Sequence, residues 1–375
     1  MKYYVLGEKN NVMLEWYLER YYIKLQDNLK EIADFLWGDI QEKIEKLLAL
    51  WEKNRDFIIS GDTSSVINYL YLECIEGKEQ YLGEYSFYSE KFEKELESFL
   101  QWNSEKLSQN MWEKITWTNI RLSLKDNNPY GKMDAHPDHK STWGIQWWWE
   151  RSEKEWLWIY EKTFNLLKNI DKGVYEELNK IITKIIPLWT SVDLHNSASY
   201  IECVGHLYMG YTINSDHPEL NNLEAIIHES SHNKLNLIKQ FDPLILNDWQ
   251  EKYYSPYRPD ARHISGIYLG IHAFVPVIYI MMKAYSQRKI NDDGHWLEKI
   301  VLYYMKNKFC LKVLQKHWKF SQLWNEILAE IEAVMIMTDD LYKKLKPETE
   351  IISNAKDTIV QHFREVNQNY PHLEY

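Results

Sequence analysis

Apolar residues recur at the 3.6-residue period of an α-helix along most of this chain, and that recurrence constrains the fold more than any other feature. In residues 11–51, NVMLEWYLERYYIKLQDNLKEIADFLWGDIQEKIEKLLALW, they fall at i, i+3, i+4 and i+7, and Gly38 divides the run into two expected helices. Similar patterns predict helices near 88–112, 151–186, 222–240, 263–285, 296–317 and 321–345. Lys125 to Gly144 is crowded with turn formers and predicts irregular chain. Ser197 to Ile213, SASYIECVGHLYMGYTI, is rich in β-branched and aromatic residues and predicts one or two strands. The expected fold class is mainly α, a helical catalytic domain with a small β element beside the helix that follows those strands. Without repeats or an evident linker, 1–120 (N-terminal helical region), 121–290 (catalytic core) and 291–375 (C-terminal helical region) read as parts of one compact unit.

Composition excludes some function classes. Lys plus Arg number 44 against 55 Asp plus Glu, a formal charge of −11, which argues against a nucleic-acid surface or an anionic membrane surface. Cys74, Cys203 and Cys310 are odd in number and lack C-x-x-C spacing, so a reduced, cytoplasmic compartment is expected. The start, MKYYVLGEKNNVMLEW, does not read as a signal peptide. Gly266 to Met282, GIYLGIHAFVPVIYIMM, falls short of the roughly 20 apolar residues that span a bilayer, and it contains His272 and Pro276. It reads as a buried central helix, kinked near Pro276. The 17 Trp and 27 Tyr are expected mostly in the core, with part of Trp143 to Trp158 left for a peptide-binding surface.

The chemistry-bearing stretch is EAIIHESSHNKL, Glu224 to Leu235. His228 and His232 stand four residues apart, on one face of a helix, with Glu229 after the first: an H-E-x-x-H array able to grip one metal ion. Apolar neighbours Ile226, Ile227, Leu235 and Leu237 make unpartnered imidazoles there costly. A third protein ligand can be sought downstream. Glu251 follows His232 after 18 residues, near one zinc-peptidase spacing, and His272 sits on the next apolar helix, where a lone histidine is otherwise a core residue. Ile238 occupies the position where a metzincin would carry its third histidine. Between these lies YYSPYRPDARHISG, in which Arg258 and Arg262 flank Asp260. This is either a surface ion-pair loop or a planar fork for a carboxylate such as that of 2-oxoglutarate. His136 and His139, in HPDH, read as turn residues rather than a second metal pair.

As a set, four blocks resemble the H-E-x-x-H proteins of peptide-natural-product clusters, the iron(II)- and 2-oxoglutarate-dependent peptide β-hydroxylases. They are NPYGKMDAHPDHKSTWG (128–144), DLHNSASYIECVGHLYM (193–209), EAIIHESSHNKLN (224–236) and YYSPYRPDARHISGIYLGIHAFVPV (253–277). The resemblance covers about 128–280. One departure is His263, which follows Arg262 where the family commonly has proline and adds a competing imidazole. The resemblance implies Fe(II) held by His228, His232 and His272, with Glu229 beside the metal. It also implies 2-oxoglutarate held by Arg258 and Arg262, with Tyr200 and Ser197 lining its pocket, O2 as cosubstrate, and a ribosomally made precursor peptide as the partner that is hydroxylated. The rival reading of the same residues is a zinc metallopeptidase with His228, His232 and Glu251 as ligands and Glu229 as general base.

Overall fold

A computed structural model describes residues 5–7, 11–35, 39–51, 67–68, 71, 114–123, 153–188, 197–201, 203–210, 218–242, 245–290, 294–317, 319 and 321–373. Its elements run α1 (Val12–Phe35), α2 (Asp39–Trp51), β1 (Arg121–Leu122), α3 (Glu153–Ile170), α4 (Lys172–Ile181), β2 (Lys184–Leu188), β3 (Ser197–Ala198) and β4 (His206–Gly210). They continue as α5 (Pro218–Lys239), α6 (Ile264–Ser286), α7 (His295–His317), α8 (Gln322–Leu345) and α9 (Thr349–Asn369). The protein is mostly helical with one small mixed sheet, as the periodicity predicts. The helix expected at 88–112, the turn-rich segment at 125–144 with its HPDH pair, and most of Trp143 to Trp158 lie outside the described residues.

Two compact units interleave along the chain, one formed by Leu14–Glu161 and Asn179–Asn221, the other by Met1–Met13, Lys162–Leu178 and Asn222–Tyr375. The first contains the sheet, in the order β1-β2-β4-β3, with β2 parallel to both β1 and β4 and β3 antiparallel to β4. Residues 184–186, expected to be helical, are instead strand. Lys184 to Leu188 is KIIPL, with Ile185 and Ile186 fully buried, and a β-branched run of this kind suits a covered strand better than a helix. Pro187 is tolerated because the β1 ladder ends at Leu122–Ile185, so that side needs no N–H from residue 187. Gly205, at φ +95°, makes the turn into β4; a Cβ there would lie 2.9 Å from Thr183 Oγ1 and 3.1 Å from the Ile181 carbonyl.

In the second unit α6 is the centre, packed by α7 and α8, while α9 packs on α7. Its apolar run is long and hydropathic enough to cross a membrane, but 67% of that window is buried inside the protein, as expected of a central core helix. The helix continues through Pro276. It begins at His263, whose Nδ1 accepts from the Ser265 backbone N–H at 3.3 Å and lies 2.8 Å from the Ser265 hydroxyl. The histidine that follows Arg262 is thus a helix cap. Helix α9 carries no counterpart among the expected helices. Its Val366, with Leu373 beyond it, buries against Tyr254 and Ala261.

Helix α5 reads as amphipathic in sequence yet is buried nearly all round, polar residues included: Asn222, Glu224, Glu229, Ser230, Ser231, Asn233, Lys234 and Asn236. Such groups require partners. Lys234 pairs with Glu177, whose other oxygen accepts from Asn11 Nδ2 at 2.6 Å, and both charged side chains are at least nine-tenths buried. Removing one member would strand the other charge. We therefore expect Lys234→Met to lower the free energy of urea unfolding by about 3–5 kcal/mol, with recovery in the double variant Lys234→Met, Glu177→Leu.

Candidate metal centre

From Asn222 to Ile238 every residue of α5 is buried except two, His228 and His232. The helix is sealed everywhere but at the pair of imidazoles, which share one face because they are one turn apart. Their ring centroids lie 4.5 Å apart at 88°. One donor atom each from His228, Glu229 and His232 fall within 4.8 Å of one another, the compact donor trio found among the described residues. Two imidazoles and a carboxylate suit zinc or ferrous iron.

The state of each ring fits that use. Glu229 is buried, and its Oε1 lies 3.1 Å from His228 Nδ1. As a carboxylate it accepts the Nδ1 proton, leaving the Nε2 lone pair of His228 for a metal. Burial first, and the nearby His228 second, push the His232 pKa down to about 3, so this ring is a neutral donor. Its Nδ1 is buried without a hydrogen-bond partner.

The structure does not bring His272 into the trio. Phe274, two residues on, packs its ring 4.7 Å from His228. Two residues are about 200° around a helix, so His272 takes the opposite side of α6. There its ring lies 5.9 Å from that of Tyr268, which packs on Trp324 of α8. Nor does Glu251 enter the trio. Its carboxylate takes a 2.6 Å bond from the Tyr253 hydroxyl and a 3.4 Å bond from Asn247, with Lys319 at 3.8 Å, and these hold its pKa low. His263 is engaged at its cap, where Trp249 stacks on it at 4.2 Å.

The arginine loop is closed at its ends by paired backbone bonds, Tyr253 N–H to the Arg262 carbonyl at 2.7 Å and Arg262 N–H to the Tyr253 carbonyl at 2.9 Å. Both arginines face Asp260. Arg262 Nε lies 2.9 Å from it, off the N–H direction and so without a hydrogen bond, and Arg258 Nε lies 3.9 Å away. Two tyrosines fasten the loop. Tyr254 reaches α9, its hydroxyl 2.9 Å from His362 Nδ1 and 3.2 Å from the Ile359 carbonyl. Tyr257 stacks on Phe274 at 4.1 Å and 3°, so one ring separates the loop from His228. These aromatics were not singled out from the sequence, although Tyr257 and Phe274 fall within the YYSPYRPDARHISGIYLGIHAFVPV block.

Ser197 and Tyr200 belong to the other compact unit. Ser197 pairs with Met209 in the sheet, and Tyr200 is buried with its ring 5.2 Å from Tyr208. The strand there, β3, ends at Ala198, and Cys203 N–H bonds the Tyr200 carbonyl at 3.3 Å. His195 and Glu202 lie outside the described residues. A scan against protein-family models matches none, and a search of curated proteins finds no match.

Protonation gives a direct test of the half-buried His232 imidazole. His232 takes its proton near pH 6.5 when unfolded but only near 3 when folded. Its contribution to the stability of the metal-free protein is therefore intact above pH 6.5. It is lost as pH falls toward 3, by about 1.4 kcal/mol per unit. His232→Gln should flatten the stability profile across that window in urea titrations.

Proposed function

We propose that this protein is a mononuclear iron(II) oxygenase that uses 2-oxoglutarate and O2 to hydroxylate a side-chain β-carbon in a ribosomally made precursor peptide. The observation that carries this reading is the opening in α5, which between Asn222 and Ile238 is buried except at His228 and His232, with Glu229 in reach of both. Two histidines and one carboxylate are the donor set of non-haem ferrous oxygenases. When bound, the iron supplies the one-electron and O2 chemistry that amino-acid side chains lack.

The chain's own groups do the rest. His228 and His232 hold the ion as neutral donors, and Glu229 is the oxygen donor within reach while also keeping His228 in one tautomer. Arg258 and Arg262 offer their guanidinium forks to the distal carboxylate of 2-oxoglutarate, which takes over from Asp260 as their counter-charge. Phe274 and Tyr257 wall off water on the His228 side. The peptidase reading has less support, since the carboxylate it needs as third ligand, Glu251, is occupied by Tyr253, Asn247 and Lys319.

The test is anaerobic loading with Fe(II) or Zn(II), then O2, 2-oxoglutarate and precursor peptide, reading succinate and peptide mass together. Succinate with a peptide heavier by one oxygen atom is expected. His228→Ala and His232→Ala should abolish both products, and Arg258→Ala should raise the KM for 2-oxoglutarate about tenfold or more. His272→Gln should retain its iron. Zinc-dependent peptide cleavage without 2-oxoglutarate would overturn the proposal.

A further inference from the structure

We infer that Tyr257 is a positioning residue for the metal centre, acting on His228 through Phe274. The inference rests on the metal-centre reading above and adds to it a device that holds the first imidazole at a fixed angle. Phe274 touches both partners: His228 at 4.7 Å and 60°, and Tyr257 at 4.1 Å and 3°. A parallel ring at that distance transmits a displacement, because close-packed interiors leave no void to absorb it.

Tyr257 is itself held in place. Its hydroxyl lies 2.7 Å from Asn307 Oδ1 and 3.2 Å from the Tyr303 carbonyl, both on α7. The Lys306 ammonium sits 5.3 Å from its ring centroid. Tyr303 presents its ring edge-on to Tyr257 at 6.0 Å and to Phe274 at 5.0 Å. The Tyr303 hydroxyl then donates to Glu224 Oε1 at 3.1 Å, and Lys299 pairs with the other oxygen of Glu224. Glu224 stands one helical turn before His228. The contacts therefore close a circuit from His228 through Phe274, Tyr257, Tyr303 and Glu224 and back along α5.

Such a circuit fixes an imidazole before any metal arrives. Glu229 holds the Nδ1 end of His228, and the aromatic stack limits the tilt of the ring. Groups that orient a ligand in this way are worth about 10–100-fold in metal affinity. Tyr257 also precedes Arg258 directly, so the brace on the metal ligand and the fork for the carboxylate share one short segment of backbone.

The experiment is titration of the metal-free full chain with Co(II) alone, reading affinity and the visible ligand-field bands, for wild type, Tyr257→Leu, Tyr257→Phe and Asn307→Ala. Wild type should bind one Co(II) per chain. Tyr257→Leu should bind about tenfold more weakly with displaced bands. Tyr257→Phe and Asn307→Ala, which keep the ring but loosen its anchor, should fall between and carry the test if Tyr257→Leu does not fold. Folded variants that bind with wild-type affinity and unchanged bands would overturn the positioning role alone, even where their urea midpoints drop. A wild type that takes up no Co(II) would overturn the metal-centre reading and this inference with it.

Discussion

Helix α5 carries eight buried polar residues, and the charged ones facing other elements, Glu224 and Lys234, are met by partners there, a demand around which the second unit is organised. Glu224 is met by Lys299 and Tyr303 of α7, and Lys234 by Glu177, itself bonded to Asn11 near the start of the chain. Asn233 Nδ2 donates to the Glu229 carbonyl at 3.2 Å, and Ser231 Oγ to the Ile227 carbonyl at 2.8 Å. Rotating α5 by one residue, about 100°, would break the long-range pairs together. The direction in which His228 and His232 face is thus set by the Lys234–Glu177 ion pair at one end, and by the Glu224 contacts and aromatic packing at the other.

The same economy holds for the arginine loop. A ten-residue excursion with two cations and one carboxylate would wander if its only ties were exposed ion pairs, which are worth little. Here it is pinned at its neck by two backbone bonds and along its length by Tyr254, buried in an aromatic cluster, and by Tyr257, half-buried and stacked on Phe274. Fixing the loop on folding spares a ligand that entropy when it binds, which is the physical content of preorganisation.

How much of this was readable in the sequence differs by feature. The helices were, because apolar periodicity is local: the break near Gly38 and the bounds of α6, α7 and α8 fall within a residue or two of expectation. Helix α9 was not, since Thr349 to Asn369 is polar on average and its apolar stripe shows its purpose only when Tyr254 is seen against it. The helical period extends through the strand at Lys184–Leu188 because a short apolar run fits either period until its neighbours are known. The H-E-x-x-H pair was legible from spacing alone. His272 was not, for its ligand role turned on which side of α6 it occupies, and only Phe274 against His228 reveals that side. Tyr257 has no sequence signature, because its meaning lies in a stack between residues 17 apart.

The choice between oxidation and hydrolysis turns on how many carboxylates reach the trio. A zinc peptidase needs two carboxylates near its metal when histidines supply only two ligands: one to bind, one to take the proton of the attacking water. Among the described residues the trio holds a single carboxylate, Glu229. If Glu229 binds the metal, no base remains for water. If it stays free as the base, the metal has two protein ligands, fewer than the three of a catalytic zinc site. In the proposed oxygenase, His228, His232 and Glu229 would together hold the ferrous ion, which would supply the O2 chemistry without needing a separate carboxylate base.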